Sequence, residues 1–146
     1  MKRHALAWIA GGFIVYVSVA CDPLVAVAQT AQDASHAQPI DWQTSPLDLD
    51  LRGMNGERYA FHCPPGKPAQ SRVTGSGPYT DDSSICTAAV HAGRLHGKNG
   101  GDVVIEIRPG QASYAGSEEN FVRSANSDRA WSGSFVVLRN EDYSNP

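Results

Sequence analysis

Two stretches of the chain alternate strictly between apolar and polar positions. In Arg58–Cys63, RYAFHC, Tyr59, Phe61 and Cys63 fall on one face and Arg58, Ala60 and His62 on the other. That is the period of two that a half-buried strand requires. Asn55-Gly56 just ahead of it is a turn signal. Residues 102–108, DVVIEIR, set Val103, Ile105 and Ile107 against Val104 and Glu106, between the chain-reversing pairs Gly100-Gly101 and Pro109-Gly110. Shorter strand candidates are 71–74, 112–115, 121–124 and 134–138.

One segment breaks this pattern. Ile85, Ala88, Ala89 and Ala92 recur at i, i+3, i+4 and i+7, the spacing of one helical face. Asp82 or Ser83 supplies a side-chain acceptor for the unpaired N–H groups at the helix start. Asp81 and Asp82 complement the positive end of the dipole there. Gly93 provides the left-handed residue that ends many helices. The spacing therefore predicts a helix of about ten residues. Cys86, Thr87 and Val90 leave its other faces small or apolar, with only His91 strongly polar. A helix with so little polar surface is enclosed on most sides. The expected fold is α+β, with one short central helix wrapped by antiparallel β-sheets.

The flanks read differently. Lys2 and Arg3 precede an apolar run over 5–20, short for a membrane span and typical of a secretory signal peptide. Ala26-Val27-Ala28 offers a small-x-small cleavage site before Gln29. The alternative is VSVAC, 17–21, a lipoprotein-like box in which Cys21 would be lipidated. Its Ser18 stands where a leucine-like residue is usual. Cleavage after Ala28 leaves Cys63 and Cys86, an even pair in an exported chain. The expected organisation is a signal peptide over 1–28, a flexible linker over 29–46 with Trp42 as its one anchor, the domain over 47–140 and a tail over 141–146.

Charge narrows the partners. The chain carries 12 Lys and Arg against 15 Asp and Glu, a net −3. Removing Lys2, Arg3 and Asp22 with the signal leaves 10 against 14, a net −4. Such a domain is not built to bind nucleic acid or an anionic membrane in general. Membrane attachment is expected only if Cys21 is lipidated.

YTDDSSICTAAVHAG, residues 79–93, resembles the signature of the LCCL domain, a module of secreted proteins. The likeness extends over 47–138 through FHCPPG (61–66), VTGSGPYT (73–80), NGGDVVIEIRPGQASYAGS (99–117) and WSGSFVV (131–137). It implies a helix wrapped by sheets and an extracellular, non-enzymatic module, linked to lipopolysaccharide or other ligand binding. The structural signature falls on Tyr79, Asp82, Ser83, Ser84, His91 and Gly93, and no catalytic residue is carried over. The brevity of the chain suggests a single-domain, bacterial-type member. Three positions depart from the pattern. Lys67 replaces the second cysteine of a CPxxC-like segment, Thr74 stands where an aromatic residue is common, and Asn120-Phe121 replaces an Asn-Gly-like pair. The usual partner of Cys86 is thus missing. The resemblance then implies a Cys63–Cys86 bridge, the alternative being two free thiols.

Serine, histidine and aspartate in 79–93 invite a triad reading. Ser83 and Ser84 lie about two helical turns from His91, roughly 10 to 12 Å along the axis, whereas a nucleophile and its base need about 3 Å. No G-x-S-x-G elbow is present. His91 reads instead as a residue that hydrogen-bonds helix to sheet. His62, His91 and His96 lack the i, i+4 pairing of a zinc site. Asp48, Asp50 and Gly53 begin like a calcium loop, but Arg52 and Tyr59 occupy two ligand positions. No metal or cofactor is expected. Arg94, His96 and Lys98 follow the helix in a Gly-rich loop, and Arg108 and Arg123 lie at strand ends. Gathered by folding, Arg94, Lys98 and Arg108 would hold phosphates or carboxylates of a glycan or lipid head group. Trp131 or Tyr114 could stack on sugar rings. The expectation is an exported protein, periplasmic or extracellular, that binds a glycan, a lipopolysaccharide-like ligand or a protein partner. The alternative is a lipid-anchored structural protein of the cell envelope.

Overall fold

The computed structural model describes residues 37–67 and 71–139. The signal-peptide and Cys21 expectations, and the tail over 141–146, lie outside the described residues.

Among the described residues, seven strands and one helix follow in the order β1 (Gln38–Pro39), β2 (Arg58–Cys63), β3 (Tyr79–Thr80), α1 (Ile85–His91), β4 (Gly101–Pro109), β5 (Glu118–Glu119), β6 (Val122–Arg123) and β7 (Gly133–Val137). Five strands form one sheet, ordered β1-β2-β4-β7-β3, and β5 with β6 forms a separate hairpin. Among these strands the β1–β2 pair is parallel and the others are antiparallel. The protein is an α+β fold with one short helix and mostly antiparallel sheet.

The alternation seen in β2 and β4 sets the core. Their pairing places Tyr59 opposite Ile105 and Phe61 opposite Val103, so one face carries Phe61, Cys63, Val103, Ile105 and Ile107, all buried. Phe135 of β7 joins this face opposite Ile107. Every residue of α1 is buried, and the helix packs on β4 and β6. Ala88 and Ala89 have no exposed surface, and their small side chains let the helix lie close to its neighbours. On the opposite face Glu106 accepts from Arg58 at 3.0 Å and pairs with Arg108 at 2.7 Å.

The fold begins ahead of Leu47. β1 pairs with β2, and Ile40 N–H continues the contact to the His62 carbonyl at 3.1 Å. Trp42 packs on the core, and its carbonyl accepts from Ser84 at 2.8 Å and Ser71 at 2.7 Å. Ser45 and Pro46 are buried. The last third of the segment expected as a linker is therefore woven over the start of α1, because the first helical N–H groups need acceptors. Ile85 N–H finds one in the Thr44 carbonyl at 3.0 Å.

Cys63, the last residue of β2, is joined to Cys86 in α1, with Cα atoms 5.7 Å apart. This bridge ties helix to sheet. The segment after it folds against the loop that precedes β4, where Gly66 N–H donates to the Gly97 carbonyl at 2.8 Å.

Candidate functional site

The helix is shorter than its sequence spacing suggests and is capped one residue later. Ser84, not Asp82 or Ser83, is the N-cap: its hydroxyl accepts from Thr87 N–H at 3.1 Å. Ser83 accepts from Thr74 N–H at 3.0 Å and bonds Thr80 at 2.9 Å. Asp82 instead pairs with Arg72 at 2.7 Å. Three consecutive cap-competent residues leave the choice to tertiary contacts, and the Trp42 carbonyl beside Ser84 decides it. At the other end Gly93 has φ +69. Its N–H bonds the Val90 carbonyl at 2.9 Å while Arg94 N–H bonds that of Ala89 at 2.8 Å. These two bonds form a Schellman turn.

His91, 2% exposed, lies in the last turn. Its Nδ1 is 2.9 Å from the Tyr79 hydroxyl. Its Nε2 is 3.2 Å from Ser117 Oγ and 3.4 Å from the Ser117 carbonyl. Helix is thereby bonded to β3 and to the approach to β5. The sequence showed no sign of Ser117, which lies 26 residues away. Burial pushes the Tyr79 phenol up to about 12, moderated by the Arg94 charge and reinforced by Glu119, so Tyr79 is a hydroxyl donor. Assigning the tautomer from these partners, Tyr79 donates to Nδ1 and Nε2–H donates toward Ser117. In that state Nε2 has no lone pair with which to take a proton from the Ser117 hydroxyl. The cluster fastens elements together.

The carboxylate of Asp81 is fully buried beneath the start of α1. Arg52 grips both its oxygens at 2.6 and 2.9 Å, and Trp131 Nε1 donates to it at 2.5 Å. The bond to Asp81 raises the Arg52 pKa further. Trp131 is therefore half-buried and committed to this network. Tyr114 is buried too, its hydroxyl accepting from Gln111 N–H at 2.9 Å. Neither is an exposed platform for a sugar ring.

An open pocket of about 530 Å³ lies beside the C-terminus of the helix. Val90 and Leu95, both buried, form its apolar floor, and Gly66, Gly93 and Gly97 bring backbone close to it. Lys67, His96 and Lys98 stand exposed around it. The fourth side is Asn120-Phe121, the two-residue turn between β5 and β6. Both residues have positive φ, +48 and +64, as in a type I′ hairpin turn. Asn120 is held by donating from Nδ2 to the His91 carbonyl at 2.9 Å, whereas Phe121 is wholly exposed. A second, more polar cavity of about 410 Å³ lies across Asn120, beside Tyr79, His91, Ser117 and Glu119.

Folding does not gather all the expected cations. Lys98 lines the pocket; Arg94, in sequence between the lining residues Gly93 and Leu95, is exposed and does not line it, and its charge bears on Tyr79. Arg108 lies seven residues along β4 from Gly101, about 23 Å at strand rise, and is paired with Glu106. Arg123 is paired with Glu118 at 2.7 Å. Lys67 was recognised in the sequence only as a missing cysteine. It reaches the pocket because Gly66 bonds Gly97 and brings the two loops together.

Among the described residues, no three His, Cys, Asp or Glu side chains converge as metal ligands would. His62 pairs with Asp102 at 2.6 Å. Asp48 closes a local turn by accepting from Ser45 N–H and Oγ, at 2.9 and 2.7 Å. No helix among these residues is long and apolar enough to cross a membrane.

Together these features define a disulfide-stapled α+β domain built around one buried helix. The sequence matches the LCCL domain over residues 40–135, and the chain belongs to that family. It is 42% identical over 94 residues to vitrin of Bos taurus, covering 62% of this chain and 14% of that protein. It is 38% identical over 104 residues to cochlin of Bos taurus, covering 70% and 18%. A human protein named cysteine-rich secretory protein LCCL domain-containing 2 is 40% identical over 63 residues, covering 43% and 13%. The chain thus spans less than a fifth of the length of each of these relatives.

Proposed function

We propose that the protein is an exported, non-enzymatic LCCL-domain binding module, acting in the periplasm or outside the cell. Its ligand is an envelope glycan, a lipopolysaccharide-like molecule or a protein partner that presents anionic groups. One observation carries this reading: the pocket beside the helix brings Lys67, His96 and Lys98 to one rim with no carboxylate among its described lining residues. Lysine ammonium groups suit phosphate and carboxylate, and a pocket of this size falls within the range of small-molecule sites. Export is supported by the basic start and apolar run, by the Cys63–Cys86 bridge and by kinship with a protein named as secretory. The acidic balance of the chain weighs against nucleic acid as a partner. The non-enzymatic reading rests on His91, whose two ring nitrogens are committed to Tyr79 and Ser117.

The test is binding of the full, oxidised chain to an array of bacterial lipopolysaccharides, peptidoglycan fragments and glycans. A saturable signal weakened by Lys98→Ala and by Lys67→Ala is expected. Signals indifferent to both substitutions would overturn the placement of the site, and a blank array would remove glycans and lipopolysaccharide from the list.

A further inference from the structure

We propose that Phe121 makes this pocket a site for a single amphiphile, a hydrophobic group bearing a phosphate or carboxylate. The inference rests on the binding role proposed above and specifies its ligand.

Phe121 is the residue whose placement has no structural justification. It gains nothing from burial, because its side chain is fully exposed. It gains nothing from backbone preference, because φ +64 is a left-handed conformation unfavourable to any residue with a Cβ and least suited to a bulky one. Yet its position is fixed. Asn120 is bonded to the helix C-terminus and Val122 is buried in the core, so the ring is held out at the pocket edge. A conformational outlier joined to an exposed aromatic ring beside a cavity points to a ligand contact.

The surroundings specify the ligand. Val90 and Leu95 give the pocket that Phe121 lines an apolar floor, while Lys67 and Lys98 supply positive charge at the same pocket. An apolar group can lie against the floor and Phe121 while an attached anion meets the lysines. Lys67 and Phe121 are also two of the positions at which the sequence departs from the pattern it resembles. A flat anionic bilayer is the poorer occupant: Glu119, exposed on the same hairpin next to the Asn120-Phe121 turn, would face its head groups, while the charge of Glu118 is met by Arg123. A single molecule entering the pocket avoids Glu119.

Calorimetric titration of the full, oxidised chain tests this with four probes: decyl phosphate below its micelle concentration, inorganic phosphate, decyl maltoside, and phosphatidylglycerol vesicles. Decyl phosphate is expected to saturate one site, with affinity falling about tenfold in Phe121→Gly and in Phe121→Asn, the scale of one lost apolar contact. Both replacements tolerate the left-handed conformation, so both variants keep the fold, checked by circular dichroism. Lys98→Ala should weaken decyl phosphate, and inorganic phosphate should bind more weakly and without regard to Phe121. If Phe121 variants bind decyl phosphate as well as the parent does, while Lys98→Ala weakens both phosphates, the anion site stands and the amphiphile proposal falls. If no anionic probe binds, the proposal falls, and the array experiment decides the broader binding role separately. Equal affinity for decyl maltoside would overturn the anionic half, and retention by vesicles alone would replace the single amphiphile with a membrane surface.

Discussion

Gly133 faces the buried carboxylate of Asp81 with no room for a side chain between them: a Cβ built on Gly133 would overlap Asp81 Oδ2. The carboxylate cannot retreat, because Arg52 and Trp131 hold both its oxygens. Its own backbone is engaged too, with Asp81 N–H bonded to the Gly133 carbonyl at 3.2 Å and its carbonyl accepting from Leu47 N–H at 2.9 Å. Gly133→Ala must therefore displace β7 or break the network. Overpacking of this kind costs about 1 to 3 kcal/mol. Urea denaturation should place the variant in that range or above it. An unchanged midpoint would mean that the network yields easily.

The Cys63–Cys86 bridge closes a loop of sequence separation 23. On the chain-entropy account such a constraint contributes roughly 3 kcal/mol. For a domain of this size that corresponds to a fall in Tm of roughly 10 °C or more on reduction. The bridge also anchors the 63–67 segment that carries Lys67 to the pocket, so reduction should weaken ligand binding before the fold is lost. Thermal melts with and without reductant check the first effect. Alkylation of both cysteines in native, unreduced protein would show that the bridge does not form.

Tyr79 gives the fold an alkaline limit. Its pKa is raised from 10.0 to about 12, first by burial. A phenol whose folded pKa lies above its unfolded value stabilises the fold fully below pH 10, and that contribution is lost as pH climbs toward 12. The linkage is on the order of 2 to 3 kcal/mol. Urea unfolding between pH 9 and pH 12 should show stability falling more steeply in the parent than in Tyr79→Phe, which cannot ionise there. Parallel curves would mean that Tyr79 ionises freely in the folded state.

What could be read from the chain follows the range of the interactions. β2 was visible residue for residue, and β4 nearly so, because dense alternation between turn pairs is a local signal. Two other segments read as strands, 71–74 and 112–115, form only single bridges, Thr74 with Ala125 and Tyr114 with Ser127. In the first of them Arg72, Val73 and Thr74 accept from three separate places, Ser84, Ala125 and Thr80, rather than from one neighbouring strand. β1 escaped notice because Gln38–Pro39 is two exposed residues long and acquires its meaning from Phe61 and His62, more than twenty positions away. The Asn120-Phe121 turn was visible as an unusual pair, but no local pattern revealed the ring's exposure. The same holds for Trp131, an apparent surface aromatic whose fate depends on Asp81, fifty residues earlier. The helix, its glycine stop and its buried faces were legible; the pocket beside it was not, since it is made where three separate loops meet.

Phe121 sets stability against binding. Its left-handed backbone costs on the order of 1 kcal/mol relative to glycine, and its exposed ring recovers nothing in the free protein. Phe121→Gly should therefore raise stability by about 1 kcal/mol, reduced by the greater freedom glycine brings to the unfolded chain. The same substitution should lower affinity for decyl phosphate. Gain in one property with loss in the other is the pattern expected of a side chain kept for its ligand rather than for the fold. Urea midpoints of parent and variant, measured without ligand and then with saturating decyl phosphate, read both effects in one series. Without ligand the variant should be the more stable. With ligand the parent should gain more, because stabilisation by a ligand grows with its affinity for the folded state. A variant that is less stable without ligand would show that Phe121 makes contacts that support the fold, and its exposure would need another explanation.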